Sequence, residues 1–306
     1  SGDQLYRMDF REMIRTHLES KAEITIATLP VNEAAATGCG IMHIDPLGRV
    51  VNFLEKPKQR ADLDRMRTEP DLLQRHGIDP GDRCYLASMG IYLFSRKTLV
   101  DMLRASPALD FGKEIFPQSI SERHVQAFMF DGYWEDIGTI GAFHQANIDL
   151  TADNPPFDFM ENGQNIFTRP RYLPCSRVGG SNIKNSLLSD GVSIGKGCVI
   201  ENSVIGVRAS IGDNVVVRNC YIMGSDSYEP ESVRRECHRL GRPTIGVGDG
   251  SVLENSIVDK NARIGRNVRI VNEKGVTDSD EFSLGVIRDG IVVIPKYTVV
   301  SDGTRI

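Results

Sequence analysis

The sequence has no apolar run long enough to span a bilayer and no signal-peptide pattern at its amino terminus. A membrane partner is therefore not expected, and the cytoplasm is the default compartment. No Cys-x-x-Cys pair occurs. The six cysteines, at positions 39, 84, 175, 198, 220 and 237, have no histidines at metal-site spacing beside them. They read as reduced, mostly buried thiols. A sustained basic run is also lacking: 36 basic and 41 acidic side chains leave a net charge of −5, which argues against nucleic acid as a partner. The basic cluster at Arg234, Arg235, His238, Arg239 and Arg242 is interrupted by Glu236 and Cys237. It reads as a solvated helical face, with a small phosphorylated ligand as the alternative.

What is present is a soluble globular composition, 40% hydrophobic and 25% charged over 306 residues. That length suits two domains, each able to bury its own core. Residues 1–150 alternate short apolar runs with helical stretches, the pattern of an α/β domain with a mainly parallel, Rossmann-like sheet. A helix is expected over Met8–Ser20, with Phe10, Met13, Ile14 and Leu18 on its apolar face. Strands are expected at Ala22–Leu29, Gly40–Ile44, Val50–Leu54, Leu86–Phe94 and Val125–Phe130, and a helix at Lys97–Arg104. The polar stretch Lys58–Arg83 reads as a partly helical surface excursion, and residues 151–174 as a linker.

Beyond the linker, residues 175–306 change texture. Apolar residues recur at Ile183, Leu188, Ile194, Ile200, Ile205, Ile211, Val217 and Ile222, then at Val247, Leu253, Val258, Ile264 and Ile270 after a polar insertion at Ser225–Arg242. A spacing of five or six residues fits neither helix nor simple strand. It fits a parallel β-helix whose stacked coils share one aliphatic ladder. The spacing by itself leaves the hand open.

Four segments carry charged or hydroxyl side chains where a strand gives way to a turn: Ser1-Gly2-Asp3, Phe53-Leu54-Glu55-Lys56-Pro57, Ala87-Ser88-Met89-Gly90 and Tyr133-Trp134-Glu135-Asp136-Ile137-Gly138. Ligands collect at such strand ends in α/β sheets. Taken singly, Asp3 and Asp136 are turn or cap residues or Mg²⁺ ligands. Lys56 is a surface lysine or a phosphate clamp.

Taken together, SGDQLYRMDF, FLEKPK, YLASMGIYLF, DFGKEIFP and YWEDIGTIGAFHQAN, followed by RPRYLP and SIVDKNARIG, resemble the ADP-glucose pyrophosphorylases, or glucose-1-phosphate adenylyltransferases. The resemblance implies a nucleotidyltransferase domain followed by a left-handed β-helix. It implies transfer of an adenylyl group from ATP to glucose 1-phosphate, giving ADP-glucose and pyrophosphate for glycogen or starch synthesis. Asp3 and Asp136 then bind the catalytic Mg²⁺, Lys56 the sugar phosphate and Glu55 the sugar hydroxyls, while Ser88 and the backbone at Gly40 line the sugar pocket. This chain has Cys39 where the family usually has an aromatic residue. Lys260, Lys296 and Arg171 match an activator pocket for a phosphorylated metabolite effector, and a homo- or hetero-tetramer is implied.

The family's glycine-rich loop, which grips the ATP phosphates, lies upstream of the Ser-Gly-Asp turn and is not in this sequence. The chain also opens without an initiator methionine, so a truncated or processed sequence is expected, with negligible turnover by these residues alone. Rival readings are a non-catalytic regulatory or scaffolding subunit and a pyrophosphorylase for another nucleotide. An acyltransferase is a further rival, but it needs a histidine between coils, and His238 is the only histidine in the second half.

Overall fold

A computed structural model describes residues 2–105, 116–157, 159 and 166–306. Ser1 and residues 110–115 of the DFGKEIFP string lie outside the described residues. The chain divides into two compact units, Ser1–Trp134 and Glu135–Ile306.

In the first unit the order is β1 (Gln4–Tyr6), α1 (Phe10–Glu19), β2 (Ile24–Val31), α2 (Glu33–Ala36), β3 (Gly40–Ile44), β4 (Val50–Glu55), α3 (Arg60–Arg65), α4 (Pro70–Arg75), β5 (Tyr85–Phe94), α5 (Arg96–Ala105), α6 (Phe116–Glu122) and β6 (Val125–Met129). The chain then enters β7 (Trp134–Asp136), where one unit ends and the next begins. The main sheet runs β4-β3-β5-β2-β6.

The α/β class holds, but among the described residues the main sheet is not mainly parallel: β2–β6 is parallel, while β2–β5, β3–β5 and β3–β4 are antiparallel. The turn between β3 and β4 is too short for the crossover that parallel strands need. It is closed by Asp45, whose Oδ1 accepts the N–H groups of Leu47 and Arg49 at 2.9 Å.

Two other expectations change. On α1, capped by Asp9, Met13 and His17 are buried, whereas Phe10, Ile14 and Leu18 are 46, 45 and 67% exposed. His17 Nδ1 lies 2.8 Å from Thr25 Oγ1, so the helix docks through a polar anchor beside Met13. The stretch Lys58–Arg83 is more than a surface excursion. Its Leu63 and Met66 enter one buried cluster and its Leu72, Leu73 and Ile78 another, the turns of α3 and α4 carrying them inward.

The second unit begins with α7 (Ile140–Asp149). It continues through β8 (Arg177–Val178), β9 (Asn182–Leu188), β10 (Ser193–Ile194), β11 (Val199–Ile205), β12 (Ser210–Ile211) and β13 (Val216–Ile222), then α8 (Glu231–Arg239). After α8 come β14 (Gly246–Val247), β15 (Val252–Val258), β16 (Arg263–Ile264), β17 (Arg269–Ile270), β18 (Val286–Arg288), β19 (Ile291–Ile294) and β20 (Val299–Val300). Short strands stack as β20-β16-β14-β12-β10-β8 and long ones through β19-β15-β13-β11-β9, all in parallel; β18 alone pairs antiparallel.

The four seven-residue strands β9, β11, β13 and β15 each bend at a left-handed asparagine, Asn185, Asn202, Asn219 and Asn255 (φ 44–49°). Asparagine tolerates this geometry because its short amide bonds locally. The bend splits each long strand across two faces, which with the short strand make a three-sided coil.

The aliphatic ladder is the core. All eleven expected positions from Ile194 to Ile270 are buried, with Ile183 and Leu188 half-buried against its end. Arg218 bridges coils by ion pairs to Glu201 (2.9 Å) and Glu254 (3.0 Å), its register partners on either side. α7 docks on the coils, with the buried His144 Nε2 2.8 Å from Asn219 O and Phe143 against Tyr221. Desolvation lowers the His144 pKa, against a smaller opposing effect of the hydrogen bond to Asn219.

Among the thiols, Cys198 and Cys220 are buried, Cys39, Cys84 and Cys237 half-buried, and Cys175 exposed. Burial pushes Cys220 up to about 11.

Candidate active site

Four of the residues singled out from sequence meet at one end of the main sheet. The antiparallel β3–β4 register sets Gly40 opposite Glu55. The β3–β5 register sets Ile41 opposite Ala87, and one residue further along places Ser88 beside Gly40. Paired residues share a face of the sheet, so Ser88, Gly40 and Glu55 form a row across three strands. No side chain fits at Gly40. A Cβ there would stand 2.6 Å from the Phe53 ring and 2.8 Å from Glu55 Oε2.

Lys56 follows directly in the left-handed region (φ 46°), and its N–H donates to Cys39 O at 3.0 Å. Pro57 disfavours the right-handed helical region for the residue before it, and the left-handed state costs a non-glycine residue about 1–2 kcal/mol. The hydrogen bond to Cys39 offsets part of that cost and fixes the direction in which the exposed lysine leaves the sheet. Cys39 itself packs half-buried against the Ile41–Tyr85 cluster.

On β5, the register slips opposite Ile26/Thr28, and Gly90 (φ 68°) takes up the slack while its N–H reaches Ser88 Oγ at 3.3 Å. The amide of Gln4 sits against the bare Gly90 backbone, with Nε2 2.7 Å from where a Cβ would lie. Gln4 therefore ties β1, and with it the exposed Asp3 that precedes β1, to the Ser88–Gly90 bulge. Gln4 Oε1 is buried with no hydrogen-bond partner among the described residues, an acceptor left open beside Ser88. Sequence reasoning missed both Gln4 and Phe53. A polar residue directly after the Ser-Gly-Asp turn was the available signal for Gln4.

Arg7 N–H donates to Tyr133 O, so β1 also lies along the segment that leads into β7. Asp136 closes β7, exposed, and its Oδ1 accepts the Gly138 N–H at 3.0 Å. Thr139 then caps α7. The turn role considered for Asp136 is thus occupied by one of its two oxygens. Among the described residues no group of three or more His, Cys, Asp or Glu could hold a metal. Mg²⁺ in general needs no such cluster, being bound through one or two carboxylates and completed by phosphate oxygens and water.

In the β-helix, Lys260 and Lys296 converge on a residue the sequence reading overlooked, Asp226. Lys296 Nζ lies 2.7 Å from Asp226 Oδ2, and Lys260 Nζ lies 3.5 Å from Oδ1. Asp226 and Asn261 exchange two hydrogen bonds of 2.9 Å. The Lys296 ammonium first, then Asn261, holds the Asp226 carboxyl down at about 2. Arg171 is exposed ahead of β8 and has no salt bridge to a described residue. His238 sits on α8, exposed rather than between coils.

Comparison with protein families gives two matches, the first of which runs past the Trp134/Glu135 boundary. The family model described as Nucleotidyl transferase matches residues 1–153, and the one described as GLGC left-handed parallel beta-helix domain matches residues 171–305. The chain belongs to the nucleotidyl transferase family. With its left-handed β-helix it is a sugar-phosphate nucleotidyltransferase, a class whose substrates are a nucleotide and a sugar phosphate. Among the described residues no helix is long and apolar enough to cross a membrane.

Proposed function

We propose that the protein makes ADP-glucose from ATP and glucose 1-phosphate, releasing pyrophosphate, in glycogen or starch synthesis. The observation that carries this reading is the row Ser88, Gly40 and Glu55 with Lys56 at its end, in a chain that matches both family models. Glu55 and Ser88 offer acceptors and a donor to sugar hydroxyls across the gap at Gly40, and the Lys56 ammonium meets the sugar phosphate as a point charge. The sugar-phosphate oxygen attacks the α-phosphorus of ATP and pyrophosphate leaves. In-line positioning and charge cancellation lower the barrier. Asp3 and Asp136 are the proposed carboxylates for Mg²⁺, which when bound neutralises phosphate charge. Asp3 is joined through Gln4 to the Ser88–Gly90 bulge, which favours it as part of the same site.

Lys260, Lys296 and Arg171 are proposed to receive a phosphorylated effector, and the assembly to be a tetramer. Two ammonium groups that already share a carboxylate support the first proposal. Lys296→Glu is then expected to weaken binding of a phosphorylated effector to this chain while glucose 1-phosphate binding stays nearly unchanged.

Binding tests the reading without requiring turnover. Calorimetry on this chain is expected to give saturable glucose 1-phosphate binding that Lys56→Ala weakens about tenfold or more. ADP-glucose is expected to bind more tightly than UDP-glucose. Tighter UDP-glucose binding would move the assignment to another nucleotide, and unaltered glucose 1-phosphate binding by the variant would remove Lys56 from the site.

A further inference from the structure

The polar insertion between β13 and β14 is not a loose loop. Glu229, 6% exposed, pairs with Arg263 at 2.5 Å and accepts the Ile245 N–H. Arg263 also donates to Pro243 O at 3.0 Å, and Tyr228 Oη donates to Gly191 O at 3.1 Å. α8 and its return segment are thereby fastened to the flank of the β-helix, and a cavity of about 250 Å³ lies between them. Its floor is a glycine ladder, Gly212, Gly248 and Gly265, in consecutive coils. At each of these, a Cβ would strike the next coil's backbone or a carboxylate. The bare floor lets a ligand approach the main chain closely.

The wall is cationic. Arg234 and His238, one helical turn apart, face the cavity together with Arg242. Neither Arg234 nor Arg242 forms a salt bridge with a described residue. Arg239, on another face of the same helix, is matched by Glu236 at 2.6 Å. Arg242 is in part balanced by the nearby Glu236, whose carboxyl it helps Arg239 hold low, while Arg234 faces the cavity with no ion pair to a described residue. Guanidinium groups converging on one concave wall favour an anion, and their planar forks suit phosphate. The opposite rim carries Asp249 and Asp302, which use Oδ1 to hold the Asp213 and Arg266 N–H groups at 2.9 and 2.8 Å. It also carries Arg266, whose Nε lies 3.8 Å from Asp249 Oδ2, so that Asp302 is the carboxylate with an oxygen left for a ligand. Carboxylates facing a phosphate site repel a bare anion but accept hydroxyl hydrogens.

We infer that this cavity binds a small phosphorylated polyol, with its phosphate on Arg234 and Arg242 and its hydroxyls toward Asp302. The size suits one small metabolite rather than a nucleotide. This site shares no residue with the Lys260–Lys296–Asp226 cluster and does not depend on the catalytic reading.

Calorimetry on the whole chain with sorbitol 6-phosphate, inorganic phosphate and sorbitol tests it. Saturable binding of sorbitol 6-phosphate is expected, with inorganic phosphate weaker and sorbitol absent. The double variant Arg234→Gln/Arg242→Gln should raise the sorbitol 6-phosphate Kd roughly tenfold to a hundredfold. Arg239→Gln, with the same loss of charge per site, should change it less than about twofold. Asp302→Asn should weaken sorbitol 6-phosphate while inorganic phosphate binds as well as before or better, since a repelling charge is removed. Amide NMR shifts in the unsubstituted protein add a readout that needs no variant: they should cluster at Gly212, Gly248, Gly265 and α8. Absence of saturable binding, equal loss in Arg239→Gln, inorganic phosphate binding as tightly as the polyol phosphate, or shifts confined elsewhere would each overturn the inference.

Discussion

Gly40 shows how a single backbone position can set the geometry of the proposed sugar site. Its hydrogen leaves just enough room for the Phe53 ring and the Glu55 carboxylate to lie over β3. An alanine there must push one of them aside, at about 1–3 kcal/mol in a packed site, and the displaced group includes the proposed hydroxyl acceptor. Gly40→Ala is therefore expected to lower stability in urea titration and to weaken glucose 1-phosphate binding; a variant matching the parent in both would show that the close approach is incidental.

Asp226 gives a pH prediction with a definite sign. Its carboxyl titrates in the folded chain at about 2, below the unfolded value of about 3.9. Its contribution to stability is complete above about pH 4 and is lost as pH falls toward 2. The side chain is about half exposed and screened by solvent, so the effect is small. Stability measured from pH 5 to 2 should fall less steeply in Asp226→Asn; an unchanged slope would mean that the lysine contacts contribute nothing measurable. Neither Asp226 nor Gln4 was legible in the sequence. Both matter through partners distant in the chain, Lys296 and Gly90, and no local spacing encodes such a meeting. Lys260, Lys296, Glu55 and Lys56 could be singled out because each sits in a distinctive short string, and the roles given to them are proposals.

At the scale of elements, legibility followed periodicity. The β-helix ladder was read position by position, because each aliphatic residue repeats a local rule. The asparagine corners restate that rule in backbone conformation. α1 was read as a helix from the same kind of pattern, yet its buried face was misjudged. Helical spacing marks which residues share a face but not which face finds a partner, and here the partner is the Thr25 hydroxyl with His17. The strand directions in the main sheet were missed for a similar reason. Alternation of strand and helix suggests parallel crossovers, whereas Asp45 closes a tight hairpin that forces β3 and β4 antiparallel.

The ladder yields the prediction at this scale. Leu253 is fully buried in it, with coils on both sides. Leu253→Ala should cost about 3 kcal/mol, since stacked coils cannot close over the lost volume. Urea unfolding monitored on the β-helix measures it, and a loss below about 1 kcal/mol would contradict a close-packed continuous core.

Over the whole molecule, two cores of different texture serve different ends. The mixed sheet gathers polar side chains at a strand end, where ligands of α/β domains collect. The coils supply a stiff surface on which side chains from separate turns meet, as Lys260, Lys296 and Asp226 do. Class and architecture could be read from the texture of each half. The pairing of particular side chains required the folded chain.

The account stands on Lys56 meeting a sugar phosphate while Glu55 and Ser88 take its hydroxyls. A crystal structure of the protein with glucose 1-phosphate tests that directly. The phosphate is expected within hydrogen-bond reach of Lys56 Nζ, with sugar oxygens at Glu55 and Ser88 above Gly40; a fully occupied ligand seated away from that row would contradict it.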